Sequence, residues 1–124
     1  PTDPATLAFI QDALRGVTEQ GTAAGAFGGF PLEAIPVASK TGSAEVDGKQ
    51  STSWFASYAP ADNPRYAVVI MVSQGGTGSE TSAPSVRAVY EAIYGIVDGA
   101  ADPARSVLVG GAPASTLPTL ARAQ

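Results

Sequence analysis

The run that offers the most chemistry is Val37-Ala38-Ser39-Lys40-Thr41-Gly42-Ser43-Ala44-Glu45-Val46, which sets a lysine, hydroxyls and a glycine side by side. What it can do is narrowed by what the chain lacks. The 124 residues include no histidine and no cysteine. Ser-His-Asp and Cys-His catalysis, disulfides, and cysteine- or histidine-ligated zinc are therefore excluded within this chain. A nucleophile here would need a lysine or a carboxylate as its base. The loop Gln74 to Ser79 holds Gly75, Gly76 and Gly78 and has backbone N–H groups suited to cradling an anion, but no lysine stands beside it. A phosphate-binding Gly-x-x-x-x-Gly-Lys-Ser/Thr loop is not formed around Gly48-Lys49 either: Gln50 follows, and Ser43 stands where the leading glycine belongs. Glu45 and Asp47 read as solvated charges at a strand end, not as a catalytic pair. Net charge is −4 and the basic residues, among them Arg15, Lys40, Lys49, Arg65 and Arg87, are scattered, which disfavours a nucleic-acid partner.

The elements that must position these residues can be read from spacing. Asp3 is a good N-cap and Pro4 a good first helical residue, and Leu7, Ile10, Leu14 and Val17 recur at helical spacing, which predicts a helix over Pro4–Glu19 that stops near Gly21. A Gly/Ala-rich stretch, 21–29, suggests turns and close backbone approach. A strand is predicted over Pro36–Val46, a turn at Asp47-Gly48, and a second strand over Thr52–Tyr58 with Trp54 and Phe55 as packing residues. Pro60 to Pro64 makes another turn. The unbroken apolar run Tyr66–Val72 predicts a strand covered on both faces and central in its sheet. A second helix is expected over Ala83–Ile96, with Val86, Val89, Tyr90, Ile93 and Val97 on one face. From Asp98 onward the Ala/Pro/Gly-rich chain lacks periodicity and is expected to be a mobile tail, leaving 1–97 as the folded unit and 98–124 outside it. The fold class is α+β: a three-stranded antiparallel sheet flanked by N- and C-terminal helices. One hairpin strand supplies one neighbour for Tyr66–Val72 and no other long strand supplies the second, so its other edge is expected to be covered by another part of the protein or another chain. Composition, 44% hydrophobic and 15% charged, is that of a globular domain. No apolar run reaches the ~20 residues that span a bilayer, and Pro1-Thr2-Asp3-Pro4 is no signal peptide but reads as the middle of a longer chain.

Lys40-Thr41-Gly42 matches one of the signatures shared by β-lactamases and penicillin-binding proteins. Its setting adds to the match: a strand and hairpin, then Ser53-Trp54-Phe55-Ala56-Ser57-Tyr58-Ala59-Pro60, the apolar strand, Gly75-Gly76-Thr77-Gly78 and a closing helix. From Pro4 to Tyr94 the chain resembles the C-terminal part of the transpeptidase domain of class B penicillin-binding proteins, most of all the elongation type that cross-links peptidoglycan during rod growth. The resemblance implies a serine β-lactamase/penicillin-binding-protein fold. It implies that Lys40 lends positive charge to the site and bonds the hydroxyl of the second family motif. Thr41 would hydrogen-bond the terminal carboxylate of a D-Ala-D-Ala stem peptide or of a β-lactam. Gly42 would leave room for the donor peptide against the strand edge. Ser43 would supply its backbone N–H to the oxyanion hole and its hydroxyl as a second carboxylate contact. Thr77 is a weaker substrate-side candidate.

The family also needs Ser-x-x-Lys, whose serine is acylated, and Ser-x-Asn. Val37 stands three before Lys40, Val46 three before Lys49, and Ala61 two before Asn63, so neither motif is present. The chain by itself is therefore expected to be inactive, its nucleophile lying in a missing N-terminal part of the same protein that also supplies the strand for the open edge. The resemblance further implies no cofactor or metal, an extracytoplasmic location at the bacterial membrane with the anchor outside this chain, and a cell-wall glycosyltransferase partner. Two other readings remain: a related D,D-carboxypeptidase, β-lactamase or β-lactam sensor on the same fold, or a non-catalytic module that binds peptidoglycan or a partner protein.

Overall fold

The computed structural model of the chain describes residues 2–108. Helix α1 spans Pro4–Glu19. Its start is set by Asp3, whose carboxylate accepts from the Thr6 N–H at 3.0 Å, with Pro4 where the missing N–H costs nothing. Gly21 closes the end: its N–H reaches the Gly16 carbonyl at 2.8 Å, and a Cβ there would lie 2.9 Å from the Val17 Cα.

Three antiparallel strands follow in the order β1-β2-β3: β1 at Ala38–Ala44, β2 at Thr52–Ala59 and β3 at Tyr66–Val72. β1 is shorter than the expected Pro36–Val46. Its pairing with β2 runs only from Ala38↔Tyr58 to Ala44↔Thr52, and the Pro36 carbonyl accepts instead from the Ala61 N–H at 2.6 Å. A π-helical turn, Gly78–Ser82, leads into α2 at Ala83–Tyr94. α2 ends two residues before the expected Ile96 because Gly95 takes the left-handed conformation, φ 64°, and caps it through the Glu91 carbonyl. A side chain at Gly95 is doubly barred, since a Cβ would meet the Asp102 carbonyl at 2.0 Å.

The core lies between one face of the sheet, α2 and the Gly/Ala-rich stretch after α1. Phe55, Val37, Phe27, Val86 and Tyr90 are buried together. Phe27 stacks on Phe55 with centroids 6.1 Å apart and meets Phe30 edge-on at 5.4 Å. Two polar groups are buried with partners: the Tyr90 hydroxyl lies 2.9 Å from Ser57 Oγ, which donates to the Val68 carbonyl at 3.0 Å.

One sequence expectation, cover on both faces of the third strand, is corrected. Among the described residues β3 is paired along one edge only, the open edge expected from the sequence, but it is not covered on both faces: Val68 and Ile70 pack on the core, while Val69 and Met71 stay 59% and 50% exposed. Its run is apolar on both faces, but α2 covers only one. The segment from Asp98 also has regular structure well beyond the expected boundary at 97. β4 (Ile96–Val97) pairs with β5 (Ala100–Ala101), Asp102 caps a 3-10 turn at Pro103–Arg105, and Ser106 and Val107 bond to the Ile93 and Ala92 carbonyls of α2 at 2.6 and 3.0 Å. Short-range turn chemistry at Asp98 and Gly99, φ 52° and 76°, makes this hairpin without helical or strand periodicity. The remainder of the expected tail, 109–124, lies outside the described residues.

Candidate functional site

β1 presents its C-terminal half, Lys40–Ala44, at the surface, while Ala38 and Ser39 are buried. Directly opposed residues of an antiparallel pair share a face. Lys40 and Gly42, opposite Ala56 and Trp54, therefore lie on one face, and Thr41 and Ser43, opposite Phe55 and Ser53, on the other. Because β1 is at the sheet edge among the described residues, backbone groups on its outer side are not consumed there by a second strand, the arrangement that lets an extended peptide lie alongside.

Lys40 is exposed; its ammonium donates to the Thr41 carbonyl at 2.8 Å and takes part in no salt bridge among the described residues. It borders a hollow of about 300 Å³ that Leu14 of α1, Ala56, Tyr58 and Val69 also line. Thr41 is half-buried, with Oγ1 2.9 Å from Thr22 Oγ1. α1 is also bound to the residue just before this strand, where the Thr18 hydroxyl lies within hydrogen-bonding distance of the Val37 carbonyl.

The glycine of the motif is held from behind. An added Cβ on Gly42 would lie 3.2 Å from the Trp54 Cβ. One on Gly78 would lie 2.3 Å from the Trp54 carbonyl and 2.8 Å from that of Gly42, so the Gly-rich loop rests directly on the backbone of the motif. Glycine is required at 78 by close approach. The loop is fixed by hydroxyls: Ser53 Oγ donates to the Thr77 carbonyl at 2.8 Å and lies 2.6 Å from Ser82 Oγ, and Thr81 donates to the Gly75 carbonyl at 2.6 Å. Ser53 is the register partner of Ser43, so this buried network sits directly across from the residue read as the oxyanion donor.

Lys40, Thr41, Gly42 and Ser43 thus share one exposed strand segment, and the loop of Thr77 packs against it. The Thr77 hydroxyl itself is turned onto its own loop, donating to Glu80 at 2.8 Å and lying 3.2 Å from Ser79 Oγ. Phe55 packs as expected, but Trp54 is 41% exposed on the Lys40 face. Sequence reading missed Thr22, Gly78 as a contact of Gly42, and the Ser53–Ser82 pair. A threonine in a Gly/Ala stretch and serines in a strand and before a helix carry no signal of their partners. No group of three acidic, histidine or cysteine side chains converges among the described residues. The perturbed tyrosines belong to the core: burial pushes both Tyr90 and Tyr94 up to about 12.

This architecture has relatives. The family model of the penicillin binding protein transpeptidase domain matches residues 1–91. The peptidoglycan D,D-transpeptidase PbpA of Mycolicibacterium smegmatis is 36% identical over 101 residues, covering 74% of this chain and 19% of the relative. MrdA of Haemophilus influenzae, also named a peptidoglycan D,D-transpeptidase, is 41% identical over 39 residues, 32% of this chain and 6% of the relative. The chain spans about a fifth of the length of the PbpA relative. Among solved structures, Pseudomonas aeruginosa PBP2 in complex with WCK 5153 superposes with a TM-score of 0.70 at 29% identity, over 86% of this chain and 23% of that one. The imipenem acyl-enzyme of penicillin-binding protein A from M. tuberculosis superposes with a TM-score of 0.57 at 31% identity, over 73% and 19%.

Proposed function

The chain belongs to the penicillin-binding protein transpeptidase family, and we propose that β1 is the substrate-side strand of a peptidoglycan D,D-transpeptidase that acts through a serine acyl-enzyme. The donor would be a stem peptide ending in D-Ala-D-Ala, with β-lactams as covalent inhibitors. The observation that carries this reading is the exposed edge segment Lys40–Ala44, in which a cation free of any described carboxylate stands beside two hydroxyls and a side-chain-free residue.

Each residue then has a physical task. Lys40 stabilises the anionic end of the donor and the developing oxyanion by its charge. Thr41 donates its hydroxyl to the terminal carboxylate, a charge-assisted bond. Gly42 lets the peptide lie against the strand. The Ser43 N–H binds the tetrahedral oxyanion, and its hydroxyl makes a second carboxylate contact. Thr77 contributes through its loop rather than its hydroxyl, which Glu80 already occupies. The acylated serine and its lysine base come from the rest of the protein, since this sequence has no Ser-x-x-Lys. The names of the relatives favour transpeptidation over carboxypeptidase, β-lactamase or sensor activity. Peptidoglycan lies outside the cytoplasm, so the protein acts at the extracytoplasmic face of the membrane, anchored by a segment outside this chain, with a cell-wall glycosyltransferase supplying the glycan strands.

The test is intact-mass analysis after incubation with a penicillin, on this chain and on the product of its full gene, each with and without Lys40→Ala. The expected result is one adduct on the full product alone, mapped to a serine outside this chain, and formed at least 10²-fold more slowly in Lys40→Ala at unchanged melting temperature. Unchanged labelling of the folded variant would remove Lys40 from the site.

A further inference from the structure

We propose that Thr22 is a positioning residue that orients the Thr41 hydroxyl toward the substrate carboxylate. The inference rests on the reading of Thr41 given above. Thr22 Oγ1 and Thr41 Oγ1 are 2.9 Å apart, joining residues 19 positions apart in the chain. A threonine hydroxyl has one proton and can accept through its lone pairs. If Thr41 spends its proton on a carboxylate, the proton between the two threonines has to come from Thr22. The order is then fixed: Thr22 donates to Thr41, and Thr41 donates to the anion. Such a chain polarises along its length, and its terminal bond is charge-assisted. Without the Thr22 hydroxyl, the Thr41 proton loses the neighbour that aims it.

Thr22 is suited to the task because its backbone is held from several sides. The Gly21 N–H bonds to the Gly16 carbonyl at 2.8 Å, the Ala23 N–H to Val17 at 3.0 Å, and the Ala24 N–H to Gly21 at 3.1 Å. Ala23 is fully buried in the core. Farther along the same segment, the Arg87 guanidinium donates to the Ala26 and Gly28 carbonyls at 3.0 and 2.6 Å and is itself held by Glu91 at 2.7 Å. Thr18 and Thr22, four residues apart at the end of α1, meet Val37 just before β1 and Thr41 within it, also four apart, so two hydroxyls register the helix end on this stretch of chain. Of the two, only the Thr22 contact is at the exposed half of β1.

The experiment uses the full-length protein and compares two probes, a β-lactam with a free carboxylate and the same compound with that carboxylate esterified. Thr22→Val removes the hydroxyl at nearly constant shape. It is expected to lower the second-order acylation rate by the free acid about tenfold, mainly through weaker binding, with the limiting acylation rate little changed. The ester should react equally with both proteins, and Thr22→Ser should restore the free-acid rate. Equal rates of wild type and Thr22→Val with the free acid would overturn the proposal. So would an equal loss with both probes, which is what a merely structural threonine gives. Thr41→Val separates the two levels. If it abolishes discrimination between acid and ester while Thr22→Val does not, the role of Thr22 alone fails. If Thr41→Val leaves discrimination intact, the reading of Thr41 fails and takes Thr22 with it.

Discussion

On one face of the sheet Phe55 is sealed beneath Phe27, Val86 and Tyr90; on the other, Trp54, Val69 and Met71 face outward and are 41%, 59% and 50% exposed. The same strands supply both faces, and both are rich in apolar residues. What differs is cover: α2 and the Gly/Ala segment lie over the first, whereas the second has little beyond Leu14 of α1 beside its hollow, and Leu7 and Ile10 of that helix are themselves half-exposed. The lysine of the motif stands on this second face, and the hydroxyls of Thr41 and Ser43 on the first. The comparison teaches that the packed face holds the strand in place by its own residues, while the face that carries the cation is left open among the described residues.

The largest contrast should come from truncating one large side chain on each face of this chain. Phe55→Ala is expected to cost about 3–5 kcal/mol, because it removes a fully buried ring and leaves a cavity between Phe27 and α2. Met71→Ala should cost under about 1 kcal/mol, since its side chain is half in water already. Urea denaturation of both variants measures this directly; equal costs would break the distinction between the faces.

Next in size is Gly78→Ala, where the added methyl meets backbone rather than a side chain that can turn away. About 1–3 kcal/mol of destabilisation is expected. In the full-length protein, acylation should slow because the Gly42–Ser43 backbone is displaced. A stable variant with wild-type acylation would separate the loop from the motif.

The smallest effect is a pH dependence of the packed face. Burial pushes Tyr90 up to about 12 against its ordinary 10.0, only partly offset by the bond to Ser57, and burial together with the neighbouring Tyr66 and Tyr90 does the same to Tyr94. The folded chain keeps protons that the unfolded chain releases first. Their contribution is fully present below about pH 10 and is lost as pH rises toward about 12. Denaturation midpoints across that window should fall, and Tyr90→Phe should flatten the slope. A Met71→Ala chain should keep the slope of the wild type.

Much of this was legible because it is local. Asp3, Pro4 and the i, i+4 apolar residues specify α1 within one or two turns of chain, and its observed bounds match the expected ones. Tyr66–Val72 is strand-forming through its own side chains, and the run Lys40 to Ser43 lies on a strand as read. The resemblance carried by Lys40-Thr41-Gly42 and the strands after it agrees with the family match. The Asp98–Gly99 hairpin was not legible, because a two-residue turn between two-residue strands leaves no period to detect.

By itself, then, the sequence determined the two long helices and three long strands, that no histidine or cysteine chemistry is available, and where the motif with its hydroxyls and cation stands. Only the tertiary structure decided that one face of β3 is left open, that Gly78 rests on Gly42, that Ser53 meets Ser82, and that Thr22 reaches Thr41. Helical and strand periodicity follow from the geometry of a single stretch of backbone. Contacts between residues 19 to 36 positions apart follow instead from the direction in which elements cross, and the side chains that meet there are small and common types whose partners nothing in the local sequence announces.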